Sequence, residues 1–156
     1  MQALATDSSS YQTIADIFGL CTVPTSPAEI ESLIGTLNGS LGTMAMVDYP
    51  YPTDFTANLP AWPVNVACAD AVSEATANAD SEFMNLYAIS AAGSVYYNYA
   101  ADPQFCLDVT VSQDQGLDDS GWSVQACNEM VMPFASGDNS MFPKSEWNET
   151  RNTAYC

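Results

Sequence analysis

Hydrophobic residues near the start of the chain recur at the spacing of one helix face. Ile14, Ile17 and Phe18 predict a first helix over about residues 11–20. A second helix follows, in which apolar positions recur in the same way and an asparagine–glycine pair predicts the end. The residues of this second pattern are Ile30, Leu33, Ile34 and Leu37, ended by Asn38-Gly39.

The start of the second helix carries its own signal. Ser26 is expected to cap the first turn, Pro27 occupies the first helical position, and Glu29 closes a capping box. After this helix, the short apolar run at residues 44–47 is compatible with either a helix or a buried strand. The beginning of the chain is therefore predicted to be helical, with one ambiguous segment.

The rest of the chain also favours helices, which long loops separate. Prolines between residues 49 and 63 remove backbone donors and predict an irregular stretch. The expected fold class is mostly α, in a single domain of residues 1–156. The further helices are predicted at about residues 62–79, 80–99 and 146–155, with a helix or turn at 122–130 and an acidic loop at 116–121.

The charge balance excludes several classes of partner. Hydrophobic residues make up 47% of the 156 residues, which is enough to bury a core. Nineteen acidic residues accompany only two basic ones, Lys144 and Arg151, and the net charge is −17. Such a surface repels phosphates, so nucleic acid and anionic membranes are not expected as partners. No apolar run has the length of a transmembrane helix.

Histidine is absent from the sequence, which excludes a conventional Ser-His-Asp triad within this chain. The sequence also lacks a glycine-rich nucleotide motif and a nucleophile elbow, and no cofactor is predicted. Paired carboxylates or a calcium site are alternatives in the loop that holds Asp114, Asp118 and Asp119. A solvated acidic loop explains these residues more simply.

Two apolar regions have a binding alternative. Residues 49–62 combine proline with aromatic residues, as ligands of proline-binding modules do, but their apolar flanks favour packed irregular structure. Methionine and aromatic residues further along form either core or an adaptable pocket that suits a proline ring. These residues are Trp122, Met130, Met132, Met141 and Phe142.

Cysteines and glycosylation sequons favour an oxidising, secretory environment. The sequons begin at Asn38 and Asn148. The cysteines lack the close spacing of a zinc site, so no metal is predicted. Their odd number leaves at least one thiol free or paired outside the chain. Because the N-terminus lacks the features of a signal peptide, the chain is expected to be a piece of a longer protein. The cysteines are Cys21, Cys68, Cys106, Cys127 and Cys156.

Several longer motifs occur in a fixed order. They are Ala-Met-Val-Asp-Tyr-Pro-Tyr at 45–51, Leu-Pro-Ala-Trp-Pro-Val at 59–64, Val-Tyr-Tyr-Asn-Tyr at 95–99 and Gly-Trp-Ser-Val-Gln-Ala-Cys-Asn-Glu-Met-Val-Met-Pro-Phe at 121–134. In this order they closely resemble the serine peptidase family of lysosomal Pro-X carboxypeptidase, dipeptidyl peptidase II and thymus-specific serine protease. The resemblance starts at about residue 19, and residues 1–18 match poorly.

The resemblance implies a fold and a function for the parent protein. In that family an α/β-hydrolase domain carries the triad, and a largely helical, disulfide-bonded insert caps the active site. This chain resembles the cap alone. The implied parent is a proline-specific, serine-type exopeptidase that is lysosomal, vacuolar or secreted. Its expected partners are the hydrolase domain of the same chain and a peptide with proline next to the scissile bond. The alternative is a stand-alone secreted helical binding protein that lacks peptidase activity.

The resemblance also implies roles for individual residues. It implies a methionine in the wall of the proline-accepting pocket, with three further residues of the same motif near the pocket mouth. It implies two disulfides within the chain and an upstream partner, outside the chain, for Cys68. The pocket residues are Met132, Trp122, Gln125 and Glu129, and the disulfides are Cys21–Cys106 and Cys127–Cys156.

Overall fold

The computed structural model describes residues 8–98, 106–109, 117–129, 133–140 and 144–156. These residues form helices and isolated β-bridges without an extended strand, so the prediction of a mostly α fold is confirmed. The chain divides into two compact units, Met1–Val111 and Ser112–Cys156. The helices are α1 (Tyr11–Phe18), α2 (Pro27–Met46), α3 (Pro63–Ala77), α4 (Met84–Asn98), α5 (Leu117–Glu129) and α6 (Glu149–Tyr155).

Helix α1 buries the face that its apolar spacing predicts, since Ile14 and Phe18 are both buried. The helix ends before Gly19, which has a left-handed conformation with φ of 58°. A residue with a side chain is strained in that conformation, so glycine allows the chain to turn away here. The N–H of Leu20 donates to the carbonyl of Ala15 at 2.9 Å and satisfies the helix end. Helix α1 is therefore two residues shorter than predicted.

The start of α2 differs from the predicted capping box. Ser26 has the extended backbone of a cap, with φ of −145°, but within the described residues its side chain makes no capping hydrogen bond. The Glu29 carboxylate instead accepts from the Thr25 N–H at 2.7 Å and from the Thr25 hydroxyl at 3.1 Å. The predicted N-cap position of Ser26 and the position of Pro27 are therefore confirmed, but the capping-box hydrogen bonds are wrong, because the Glu29 side chain bonds to Thr25, one residue before the cap.

Helix α2 continues to Met46, so the predicted end at Asn38-Gly39 is wrong. The buried face runs through the glycine without a break, since Ser40 is only 2% exposed. The Ser40 hydroxyl donates to the carbonyl of Leu37 at 2.8 Å and is satisfied within the helix. Packing of this face outweighs the cost of roughly 1 kcal/mol that glycine carries in a helix. The ambiguous apolar run at 44–47 is thereby helix through Met46, with Val47 as the C-cap, rather than strand.

Helix α3 begins close to its predicted start. Trp62 precedes it in a left-handed conformation with φ of 53°, and Pro63 takes the first helical position. The Asp48 carboxylate, which lies sixteen residues earlier, accepts from the Val64 N–H at 3.1 Å. One unpaired donor of the first turn is thus satisfied by a side chain from the preceding loop.

Helix α4 begins at Met84 rather than near residue 80. The chain first makes a turn, in which the Ser81 hydroxyl accepts from the N–H of Phe83 at 3.1 Å. Serine therefore satisfies a donor just before the helix, in the manner of a capping side chain. The sequence pattern misses this turn because Phe83, which lies just before the helix, has the helical spacing to Leu86 and Tyr87.

Helix α4 is the centre of the first unit, where it contacts α1, α2 and α3. Two hydroxyl groups fix its position: Ser90 donates to the carbonyl of Ile17 in α1, and Tyr97 donates to the carbonyl of Thr36 in α2, each at 2.8 Å. The unit has two buried clusters. One includes Ile14, Ile30, Leu33, Leu37, Leu86 and Leu107, and the other Met44, Val47, Leu59, Ala67 and Val95.

The chain after α1 is joined to the segment at Leu107 by covalent and hydrogen bonds. The Cys21–Cys106 disulfide links the two segments, with Cα atoms 4.9 Å apart. The Cys21 N–H donates to the Leu107 carbonyl at 3.0 Å, and the Leu107 N–H donates to the Gly19 carbonyl at 2.9 Å. Because Leu107 is buried in the first cluster, the disulfide also fixes one side chain of the core.

The second unit contains α5 and α6, which the Cys127–Cys156 disulfide joins. Between the helices, Ser136 and Ser145 form an antiparallel bridge with N–H···O distances of 2.8 and 3.0 Å. Helix α6 begins at Glu149, three residues later than predicted. The unit is thus held by one covalent link and a short ladder of hydrogen bonds.

Helix α5 begins at Leu117, so the predicted acidic loop at 116–121 is wrong over its described part. Asp118 and Asp119 lie in the first turn of the helix. Acidic residues are favourable at that end, because the helix dipole is positive there. Asp114 lies outside the described residues.

Gly93 allows α4 to pack closely against α2. It is buried, and a Cβ atom at this position would lie 2.7 Å from Cδ2 of Leu37, which is shorter than real Cβ contacts. Leu37 is itself only 3% exposed and belongs to the first cluster, so its side chain has little room to move. Glycine at this position is therefore required by the helix packing rather than by the local backbone.

We expect Gly93→Ala to destabilise the chain by about 1–2 kcal/mol, because overpacking costs about 1–3 kcal/mol and alanine recovers at most about 1 kcal/mol of helix propensity. Gly35→Ala is the matched control, because this α2 glycine is exposed and a Cβ atom there meets nothing within 4 Å. The control should stabilise the chain by about 0.5–1 kcal/mol. Urea denaturation followed by circular dichroism measures both, and equal effects would contradict the close packing at Gly93.

Candidate functional site

The predicted pocket residues fall on helix α5 or shortly after it. Positions 122, 125 and 129 are separated by three and four residues, so they lie along one side of the helix. Gln125 and Glu129 are exposed there. The side chain of Trp122 and all of Met132 lie outside the described residues, as do Met130, Met141 and Phe142. The pocket roles of these residues stay predictions.

The Cys127–Cys156 disulfide attaches to the opposite side of α5, because position 127 is two residues from both Gln125 and Glu129. Cys127 lies between Gln125 and Glu129, and its Cα atom is 5.4 Å from that of Cys156 after α6. The bridge closes a loop with a sequence separation of 29, which includes position 132.

Both disulfides pair the cysteines as the family resemblance implies, with Cys21 bonded to Cys106 and Cys127 to Cys156. Each bridge lies within one of the two units. Cys68 is exposed on α3 and is a free thiol in the described chain. An upstream partner for Cys68 stays a prediction.

An exposed apolar feature lies between the end of α2 and the start of α3. We define the aromatic segment by Met46, Tyr49, Tyr51, Phe55 and Trp62, whose exposed fractions range from 42% at Tyr49 to 82% at Phe55. These are five of the nine large hydrophobic side chains that are exposed in the described part of the chain. The irregular backbone predicted for this stretch is confirmed, but the prediction of packing is wrong for its aromatic side chains.

Hydrogen bonds, together with the buried side chains of Val47 and Leu59, hold the backbone of the aromatic segment. Thr53 and Leu59 exchange two N–H···O bonds of 3.1 and 2.8 Å, which close a small loop. The Trp62 N–H donates to the Tyr49 carbonyl at 2.7 Å, and the rings of Tyr49 and Tyr51 stack with centroids 5.5 Å apart. The segment therefore presents apolar side chains on a fixed backbone. Apolar length alone could not reveal this exposure, since the same residues would suit a core.

A cleft of about 240 Å³ opens in the first unit, beside α1, α2 and α4. Ser90, Ser94 and Tyr97 line it, and the hydroxyl of each donates to a backbone carbonyl at 2.8 Å. Burial raises the pKa of the Tyr97 phenol above its ordinary value and so favours the neutral donor. Because these hydroxyls serve helix packing, the cleft is a weaker candidate site than the α5 side.

The described residues contain neither a candidate metal site nor a candidate membrane-spanning helix. Within that part of the chain, no three acidic or cysteine side chains lie close enough together to hold an ion. None of the described helices is long and apolar enough to cross a membrane. The absence of a cofactor stays a prediction.

Comparison with known sequences identifies the family. The serine carboxypeptidase S28 family matches residues 1–156, which include the first eighteen residues that the motif resemblance leaves unassigned. The chain therefore belongs to the serine carboxypeptidase S28 family.

Within this family the chain is similar to lysosomal Pro-X carboxypeptidase. It is 35% identical to the Homo sapiens protein over 146 residues, which cover 93% of this chain and 28% of the human one. It is 36% identical to the Bos taurus protein over 154 residues, which cover 98% and 30% of the two chains. A serine protease of Caenorhabditis elegans is 40% identical over 128 residues, which cover 76% and 22%. The chain spans less than a third of the length of these relatives.

Replacing both Cys127 and Cys156 with serine is expected to destabilise the second unit by roughly 3–4 kcal/mol, because the bridge restricts the unfolded chain. Cys68→Ser is the control, with an expected change within about 0.5 kcal/mol, because that thiol is exposed and free. Proteolytic cleavage of residues 112–156, measured across a urea series, reports both effects. Equal cleavage of the double variant and the control would show that the bridge does not stabilise this unit.

Proposed function

We propose that this chain is the helical cap region of a longer, proline-specific serine exopeptidase, and that it supplies one wall of the proline-accepting pocket. The observation that carries this proposal is the match to Pro-X carboxypeptidase along 93% of this chain but only 28% of the relative. A region of that size leaves room for a complete catalytic domain in the parent protein. A lysosomal, vacuolar or secreted location fits the two disulfides.

The catalytic groups of the parent lie outside this region. Acyl transfer through a serine needs a base that takes the hydroxyl proton, and histidine is the usual one. The chain contains no histidine, so the parent must supply the base from its hydrolase domain. The cap contributes to substrate binding. It forms part of the pocket that holds the residue next to the scissile bond, and it excludes water from that pocket.

Helix α5 is the element that presents this pocket. Met132 follows the end of α5 by three residues and falls within the sequence loop that the Cys127–Cys156 bridge closes. A methionine side chain fits the irregular outline of a proline ring and adds only apolar surface. Gln125 and Glu129 are exposed on the same helix and would lie near the polar mouth of the pocket. The substrate class is therefore peptides with proline next to the scissile bond.

The aromatic segment is the surface that we assign to the contact with the hydrolase domain. Its five apolar side chains are 42–82% exposed, and such a group of exposed apolar side chains commonly marks an interface. A second copy of this chain is a poor partner, because two surfaces that each carry a net charge of −17 repel one another. The facing surface of the parent should therefore be apolar at its centre and basic around it.

Met132→Ala in the longer parent polypeptide tests the pocket. We expect kcat/KM for peptides with proline next to the scissile bond to fall by about 10- to 200-fold, because the pocket loses apolar contact. Val124→Ala is the control, since Val124 is 61% exposed on the same helix, and it should leave kcat/KM unchanged. An unchanged kcat/KM for Met132→Ala, at an unchanged melting temperature, would contradict the pocket role. A parent that does not cleave such peptides would refute the proposed function itself.

Hydroxyl-radical footprinting tests the contact at the aromatic segment. In the longer polypeptide, Tyr51 and Phe55 should react at least about five-fold more slowly than their 57% and 82% exposure in this chain implies. Val72 on α3, which is 67% exposed, is the internal reference. Full reactivity of Tyr51 and Phe55 in an active parent enzyme would refute this surface while leaving the peptidase proposal in place.

A further inference from the structure

We infer that Asn148 is an N-glycan acceptor and that Asn38 is not, although both begin an N-x-S/T sequon. The inference depends only on passage through the secretory pathway and not on the peptidase proposal. It separates two sites that the sequence treats as equal. The two asparagines differ in backbone conformation, in exposure and in the hydrogen bonds of their sequons.

Asn148 has the geometry of an accessible acceptor. It is exposed and has extended backbone, with φ of −132° and ψ of 113°, directly before α6. Its Oδ1 atom accepts from the Arg151 N–H at 2.8 Å and caps the helix. The sugar would bond to the other amide atom, Nδ2, for which the described residues provide no hydrogen-bond partner. The cap and the glycan therefore use different atoms of one side chain.

The third residue of this sequon is also open. Thr150 is exposed in the first turn of α6. Glu149 between them is exposed as well, so a bulky polar group attached here displaces no core residue. Sequons that carry glycans are expected on such surface segments.

Asn38 has the opposite surroundings. It lies in the interior of α2, with eleven helical residues before it and eight after it, and it is half-buried. The hydroxyl of its sequon partner Ser40 is buried, at 2% residue exposure, and donates to the carbonyl of Leu37 at 2.8 Å. Helix α2 packs against α3 and α4, and this packing obstructs a glycan attached to Asn38. The fold of the first unit therefore opposes modification at Asn38.

The reaction requires a lipid-diphosphate-linked oligosaccharide as donor. The Asn148 Nδ2 atom forms a bond to the anomeric carbon of the sugar, while the bond from that carbon to the diphosphate oxygen breaks. The lipid diphosphate leaves with the bonding electron pair, and one amide proton passes to a base. The product keeps one N–H on Nδ2 and the carbonyl Oδ1, so the cap to Arg151 is retained.

The test is expression of the full chain through a eukaryotic secretory pathway, followed by peptide-N-glycosidase in heavy-oxygen water and mass spectrometry. We expect heavy aspartate at position 148 and unmodified asparagine at position 38. Thr150→Ala should abolish the label at 148 while leaving the Asn148 cap intact. Asn148→Asp should also abolish it, because aspartate caps the helix equally well but offers no amide.

Several outcomes would overturn the inference. They are heavy aspartate at position 38, no label at either position in secreted protein, or a label at 148 that survives Thr150→Ala. Circular dichroism of the two variants, compared with the unsubstituted chain, would detect a folding defect. None is expected, because both variants keep a capping oxygen at position 148. Loss of the label with an unchanged spectrum supports the glycan, whatever the fate of the peptidase proposal.

Discussion

The packing of α4 against three other helices is the interaction on which the first unit depends. α1, α2 and α3 all contact it, and both buried clusters include residues of α4, Leu86 in one and Val95 in the other. Ion pairs cannot substitute for this packing, because the chain has only two basic residues. The ion pair at Lys144 and Asp138 joins side chains that are 57% and 80% exposed, and such pairs contribute little. Apolar burial and disulfides must therefore overcome the repulsion of an excess of seventeen negative charges.

The helices could be predicted where one spacing signal acted alone. The apolar face of α1 was sufficient, because the same residues that repeat in sequence are buried in the fold. The end of α2 could not be predicted from the glycine at 39, because a buried face on both sides of it keeps the helix intact. The acidic residues at 118 and 119 suggested a loop, yet the positive end of a helix suits them equally well. At the end of α2 a long-range contact outweighs the local preference, and at the start of α5 the helix dipole does.

In the candidate site, too, some features could be predicted from the sequence and others could not. The disulfide pairing could be stated in advance only from the order of the family motifs, since spacing alone left the pairing open. The pocket motif was recognisable for the same reason, and the described structure adds that Gln125 and Glu129 are exposed on one side of α5. The exposure of Tyr51 and Phe55 could not be read from residue types, because apolar residues near prolines suit a core equally well. What exposes them is a set of backbone hydrogen bonds between residues that a sequence pattern does not pair.

Features that the local fold does not need are those that a larger protein would use. The aromatic segment keeps a fixed backbone while its five apolar side chains remain 42–82% exposed, so much of their apolar surface is not used for packing in the described chain. Helix α5 is likewise tied by a disulfide, and Val124, Gln125 and Glu129 are exposed among its described side chains. A binding wall benefits from this arrangement, because a covalent link restrains position without occupying the surface that must meet a substrate. The two features thus distinguish the positions that hold this chain together from those that would face its proposed partners.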